Sequence, residues 1–411
     1  MTKAIPARNS TGDLSEPEVI PRSPVAKMKL FFRLHWRRGA PGQPTPPWVM
    51  RYCYRTWLVA LAFKLVGSSW DMSWHFKWLR DDLAPPHLIN SVGTVMVCVL
   101  VAIHSFTGMG VDRRALRLMQ VGTTIFLIAA PLDVINHSLN GLDITSWSPT
   151  HGLLYLGTAI MTLGAIDGWL KGTEPGRLRT LVSTGLWIFF LENMFFPNGQ
   201  QEYGILSLRA WDRGAPTGEQ TLLQFAADDI GRPIDREAIL HFALPIDDWV
   251  YPVWGIGVMA LVLAAARHTI GKMWAATAVA TGYVLYRAVI WPLLMWSDFP
   301  TSTVPFYLIG VGLAVDLAFR VARGHRTFGA GVGALLVTAF GFGALWLQGQ
   351  LRPWLLGDAV TESAPPIGYW TVPVVLAGVA VLWALATPVA GWWEARTRKR
   401  RAADLLPGAV T

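Results

Sequence analysis

Apolar residues gather along the chain in runs of about twenty, separated mostly by short polar links. A helix of that length crosses the roughly 30 Å hydrocarbon core of a bilayer. The pattern predicts ten such helices, at about 49–69, 88–108, 115–136, 151–170, 178–197, 249–266, 272–296, 302–320, 327–347 and 370–393. The fold class that follows is an all-α polytopic membrane protein with about ten transmembrane helices, its partner the lipid bilayer. Composition agrees: 15% of residues are charged and 52% hydrophobic, where soluble domains carry about 25% charge.

Charge orients the runs. Lys and Arg crowd alternate links: Arg113, Arg114 and Arg117; Lys171, Arg177 and Arg179; Arg267 and Lys272; Arg320, Arg323 and Arg326. The tail before the first run is basic, and the C-terminal stretch carries "EARTRKRR". The other links are poorer, with none at 133–151 or 297–301 and only Arg352 at 348–369. By the positive-inside rule both termini are expected to be cytoplasmic, with the poorer links on the outer face of a bacterial-type cell membrane. The net charge of +8 thus belongs to membrane topology and gives no nucleic-acid signal. The expected organisation is a basic tail (1–47), a membrane module (48–196), an outer-face loop or small cap (197–248), a second membrane module (249–395) and a basic tail (396–411). Cys53 and Cys98 fall in separate apolar runs and form no C-x-x-C pair.

Two outer links share a frame. The first reads "WDMSWHFKWLRDDLAPPH" and the second "LDVINHSLNGLDITSWSPTH". Asp71 precedes His75 by four residues, as Asp133 precedes His137. Asp81 and Asp143 come six after each histidine. A proline closes each link before a second histidine, Pro86 before His87 and Pro149 before His151, and Gly93 and Gly157 follow six residues later. Shared spacing of this extent predicts an internal repeat of helix, link and helix.

An Asp and a His four apart on a helix project side by side, and a proline starts the next helix so that its early His can turn back towards them. Two imidazoles and a carboxylate with open positions suit copper, iron or zinc. A single interfacial His is more often a hydrogen-bonded cap, and an Asp near a helix end more often caps or pairs. Four of the nine histidines in two copies of one spacing favour metal sites: Asp71, His75 and His87 for one, Asp133, His137 and His151 for the other. Trp74, Trp78 and Trp147 read as interfacial-belt residues or as walls of such a site.

The first link resembles the metal motif of the C-type membrane subunit of the copper membrane monooxygenases, the methane and ammonia monooxygenase group. The aspartate and histidine of the family's D-x-S-W-H core fall on Asp71 and His75, the following R-D on Arg80 and Asp81, and the later His on His87. The second set falls on Asp133, His137 and His151. Here the first His pair is one residue closer than in the family, and position 133 is Asp where the family usually has Asn. The likeness covers about residues 50–170. It implies copper as cofactor, oxidation of a small apolar substrate with dioxygen, and partner subunits; a homo-oligomer is the other assembly considered. The rival expectation is a non-enzymatic protein of copper transport or handling. Arg80, Asp81, Asp143 and Glu192 are the candidates for holding the ligands in place.

Elsewhere, Glu192 and Asn193 are expected near the outer end of the fifth helix, Lys64 to snorkel to the outer interface, and His104 to hydrogen-bond inside the bundle. Arg287 and Asp316 are intramembrane charges expected at different depths. No phosphate-binding glycine loop, Ser-His-Asp signature or haem-attachment motif is present, and "GAGVGALL" at 329–336 reads as helix packing.

Overall fold

The computed structural model describes residues 23–79, 83–140, 145–215, 217–321, 326–356 and 368–386. Among these the chain is helical, with no strand. The helices are α1 (Pro24–Leu34), α2 (Pro47–His75), α3 (Pro85–Thr107), α4 (Arg113–Asn140), α5 (Pro149–Gly172), α6 (Arg177–Asp212), α7 (Gln220–Asp229), α8 (Arg236–Ala243), α9 (Val250–Ile270), α10 (Ala275–Trp296), α11 (Tyr307–Val321), α12 (Arg326–Leu356) and the final segment α13 (Tyr369–Ala386). Seven are long and apolar enough to cross a membrane: α3, α4, α5, α9, α10, α12 over Gly329–Leu351, and α13. The chain is a helical membrane protein. Of the other long helices, α2 carries Arg55, Lys64 and Asp71 and α6 carries Glu192 and a polar second half, while α11 has only 15 residues.

Prolines begin the helices that frame the polar links. Pro47, Pro85 and Pro149 each occupy a first helical position, where a missing N–H costs nothing. α2 packs on α3 and α4 packs on α5, giving two hairpins in the same register. Gly93 of α3 lies against the backbone of Ala60 and Lys64, and Gly157 of α5 against that of Gly122 and Phe126. Ala60 and Gly122, and likewise Lys64 and Phe126, are 62 residues apart. The internal repeat therefore extends from the links into the helix packing, where a Cβ on either glycine would meet backbone within 3 Å.

The boundary expected at 197 falls inside a helix. α6 continues through Pro197 to Asp212, and 36 residues at about 1.5 Å each make a rod of about 54 Å. Pro197 has no N–H to give the Asn193 carbonyl, and nearby carbonyls of the same stretch accept from side chains elsewhere in the fold. Trp254 Nε1 donates to Met194 O, while Ser146 Oγ and Trp147 Nε1 donate to Pro197 O. Glu192 and Asn193 consequently lie in the middle of α6, not at its end. The rest of the 197–248 segment folds as α7 and α8, which bury Leu223, Ala226, Ile239 and Phe242 against Met72, Phe76 and Tyr203.

Two intramembrane charges find partners that spacing does not reveal. Arg287 Nη2 lies 2.6 Å from Glu202 Oε2 and donates to Ser302 Oγ, while Nη1 donates to the Tyr283 hydroxyl. Asp316 pairs with Arg267 at 3.0 Å and accepts from the amide and hydroxyl of Thr277 at the start of α10. Lys64 does not snorkel outward: it is buried, and its Nζ donates to Asn90 Oδ1 and Thr94 Oγ1 of α3. His104 is held inside the bundle, accepting from Trp57 Nε1 and donating through Nδ1 to Met109 O.

Candidate metal centre

Asp71 and His75 sit in the last turns of α2, and His87 is the third residue of α3. His75 Nε2 is 3.3 Å and His87 Nε2 2.8 Å from Asp71 Oδ1. In the second hairpin, Asp133 and His137 lie in the last turns of α4, and His151 is the third residue of α5. His137 Nε2 is 3.6 Å and His151 Nε2 3.5 Å from Asp133 Oδ1. The imidazole centroids are 5.7 Å apart in the first set and 5.9 Å in the second. Within each set one atom per residue lies within 4.8 Å of the others.

These spacings are close to those of donors that share an ion, slightly short at His87 and slightly long in the second set. Metal–ligand bonds of about 2.0–2.1 Å meeting at 90–109° place donor atoms roughly 2.9–3.4 Å apart. The contacts to Asp71 are close but poorly directed as hydrogen bonds, so that its buried Oδ1 has no well-formed hydrogen bond among the described residues. The residues thus fit a first-row transition metal bound by two imidazoles and one carboxylate.

The second set has supports of the kind metal ligands require. His151 Nδ1 donates to Thr145 O, which fixes the tautomer and leaves the Nε2 lone pair facing Asp133. Ser148 caps α5 by accepting from His151 N, and Thr150 Oγ1 donates to Asp133 Oδ1 at 2.7 Å. The Thr145–Trp147 stretch is tied to α6, because Ser146 N and Oγ both donate to Gln200 Oε1. Asp133 and His137 have side chains only 6% exposed, whereas those of the first set are 22–32% exposed. The first link is held by the α7–α8 segment: Leu79 N donates to Glu219 Oε1, Glu219 N donates to Lys77 O, and Phe76 stacks on Tyr203 at 5.5 Å. Trp74 packs on Phe299 and Trp78. Of the residues expected to support the ligands, Arg80, Asp81 and Asp143 lie outside the described residues.

Both sets border one cavity of about 530 Å³. Asp71, His75 and His87 line it from one hairpin, Asp133 and His151 from the other. Glu192, 7% exposed, faces it from α6. The cavity also reaches the outside of the bundle between α3 and α4, where its wall includes Val95, 61% exposed, and Leu127, 49% exposed. That rim is apolar and exposed. Two turns inward of Asp71, Lys64 rests on the Phe126 ring, with Nζ 3.8 Å from its centre.

Spacing finds the two Asp-His-His sets but misses the polar groups around them. Gln200 and Glu202 are hidden when Pro197 is read as a terminator. The Asn198-Gly199 pair that follows the proline reads as a second turn signal, so the sequence offers no clue that the helix continues to Gln200 and Glu202. Comparison with known proteins adds no relative: no family model matches the chain, and neither does any curated protein or solved structure.

Proposed function

We propose that the chain is a copper-binding membrane protein of the kind represented by the C-type membrane subunit of the methane and ammonia monooxygenases, and that it oxidises an apolar substrate with dioxygen. The observation that carries this reading is the pair of Asp-His-His sets with matching geometry on a shared cavity. Copper in such a donor set would supply dioxygen activation at its open positions. The protein's own contribution is placement. α2 and α4 bring Asp71 and Asp133 to the same end of the bundle, the Pro-started helices α3 and α5 return His87 and His151 to them, and Thr145 O orients His151.

The reading includes ten spans, with α2, α6 and α11 added to the seven apolar helices, both termini in the cytoplasm and the metal sets on the outer face. The alternating Lys and Arg support this topology. The apolar opening between α3 and α4 supports a substrate that arrives dissolved in the bilayer, since a lipid-facing rim offers no polar path. Partner subunits belong to the reading through the resemblance, which covers the first hairpins and not α6 onward.

Copper transport or handling is the rival reading. A transport path needs ligands at successive depths, but Lys64, tied to Asn90 and Thr94 and resting on Phe126, occupies the axis beneath the sets. Copper-loaded protein in lipid nanodiscs, given an external reductant, dioxygen and a short alkane, tests the assignment. Appearance of the hydroxylated product supports it. Copper accumulation inside proteoliposomes with no product formed would establish the rival.

A further inference from the structure

One carboxyl group borders two internal spaces. Glu192 lines the large cavity with the metal-ligand sets, and also a small void walled by Ser69, Met72, Tyr203 and Arg287. The void, of about 20 Å³, has room for one water. Its walls offer the hydroxyls of Ser69 and Tyr203 and the Arg287 guanidinium as partners for that water. Among the described residues Glu192 is more than nine-tenths buried and takes no hydrogen bond or ion pair.

The other ionisable groups around it are already committed or lack the second space. Lys64, from α2, donates to Asn90 and Thr94. Arg287, from α10, is bound to Glu202, Ser302 and Tyr283, and Tyr286 donates to Ser69 Oγ. Tyr155, from α5, lines the large cavity only. An unpartnered acid inside a membrane protein is costly to keep and marks a proton or ion path.

We infer that Glu192 is the proton-transfer group of the metal cavity. It holds a proton on a carboxyl oxygen in the resting protein and gives it to an oxygen acceptor in the large cavity. It then recovers a proton through the water in the small void, from the Tyr203 and Arg287 side. In the transfer the Glu192 O–H bond breaks and an O–H bond forms on the acceptor. The carboxylate left behind is reprotonated through the water, which takes up one proton from solvent as it gives one to Glu192, and no electron moves. The need for such a group rests on the oxidase reading, because reduction of dioxygen during hydroxylation takes up protons along with the electrons of an external reductant.

Two measurements on the full chain in nanodiscs test the role, using Glu192→Gln and Glu192→Asp. Infrared spectra of the metal-free protein should show the carbonyl band of a protonated acid that shifts in heavy water. The band should vanish in Glu192→Gln and return, displaced, in Glu192→Asp. After copper loading, proton uptake on reduction, followed with an indicator dye, should slow by about a hundredfold in Glu192→Gln, recover substantially in Glu192→Asp, and leave copper content unchanged. The inference is overturned if wild type lacks the band, if Glu192→Gln keeps it, or if uptake in Glu192→Gln runs at the wild-type rate. Failure of the wild type to bind copper would defeat the oxidase reading, and the infrared measurement would still decide whether Glu192 holds the proton.

Discussion

Lys64 and Phe126 touch in the middle of the bundle, with Nζ 3.8 Å from the ring centre, and they are the same position of the two hairpins, 62 residues apart. Equivalent residues of two copies meet only near the axis that relates them. The hairpins therefore pack about an approximate two-fold axis, with α2 against α5 and α4 against α3. Both copies run in the same direction, so their Asp-His-His sets lie at one end of the bundle, on either side of one cavity. The chain builds a paired site by repeating a helix hairpin.

The glycine that sets each hairpin should be intolerant of bulk. A Cβ on Gly93 would lie 2.6 Å from Ala60 O and 2.8 Å from Lys64 Cγ. Overpacking at such a contact costs about 1–3 kcal/mol. Gly93→Ala should lower the thermal midpoint and disturb the first metal set more than the second. Gly343→Ala, where a Cβ meets nothing within 4 Å, should be neutral or slightly stabilising in the same melting experiment.

The Arg287–Glu202 pair should be worth more intact than halved. Both side chains are buried, and breaking such a pair from one side costs about 3–5 kcal/mol, because a charge is left without its partner. Arg287→Met should therefore destabilise strongly, and adding Glu202→Gln should recover part of the loss. A double-mutant cycle by denaturation in detergent checks this; additive losses would refute it.

Acid should weaken the turn between α3 and α4. Burial pushes the Asp112 carboxyl up, but the hydrogen bonds from Lys171 Nζ (2.7 Å) and Ala115 N (2.8 Å) outweigh it and hold the group below its ordinary value of 3.8. With the folded value depressed, the stabilisation is fully present above the ordinary aspartate range and is lost as pH falls through the folded value. Asp112→Ala should cost about 1 kcal/mol at neutral pH through loss of the α4 cap, and the difference from wild type should shrink on acidification. Melting curves of both proteins across the acid range measure it.

The gap between α3 and α4 should govern access. Val95 and Leu127 stand at its exposed apolar rim. Replacing both with Trp should reduce labelling of the cavity wall by a photoreactive alkane several-fold while copper content stays the same. Equal labelling would show that entry lies elsewhere.

The Asp-His-His sets are legible from sequence because each is local: a four-residue step on one helix, and a proline that fixes where the next helix starts. Their surroundings are not, because they depend on how distant segments meet. Lys64 has the composition of a snorkelling residue, yet the close approach permitted by Gly93 puts Asn90 and Thr94 within its reach. Glu202 cannot be paired with Arg287 while α6 is expected to stop at Pro197, since that pairing needs the helix to continue through the proline. The apolar runs point to a helical membrane protein, and seven helices meet the length and hydropathy required. The buried polar residues of α2 and α6, which draw these helices below that standard, include the ones that line the cavity.

Metal content per chain tests the central claim most directly. Purified protein should be loaded with copper, freed of excess and compared with His75→Ala, His137→Ala and the double variant, with folding checked by melting. The account predicts two ions in the wild type, one in each single variant and none in the double variant. Equal copper in the wild type and the folded double variant would contradict it.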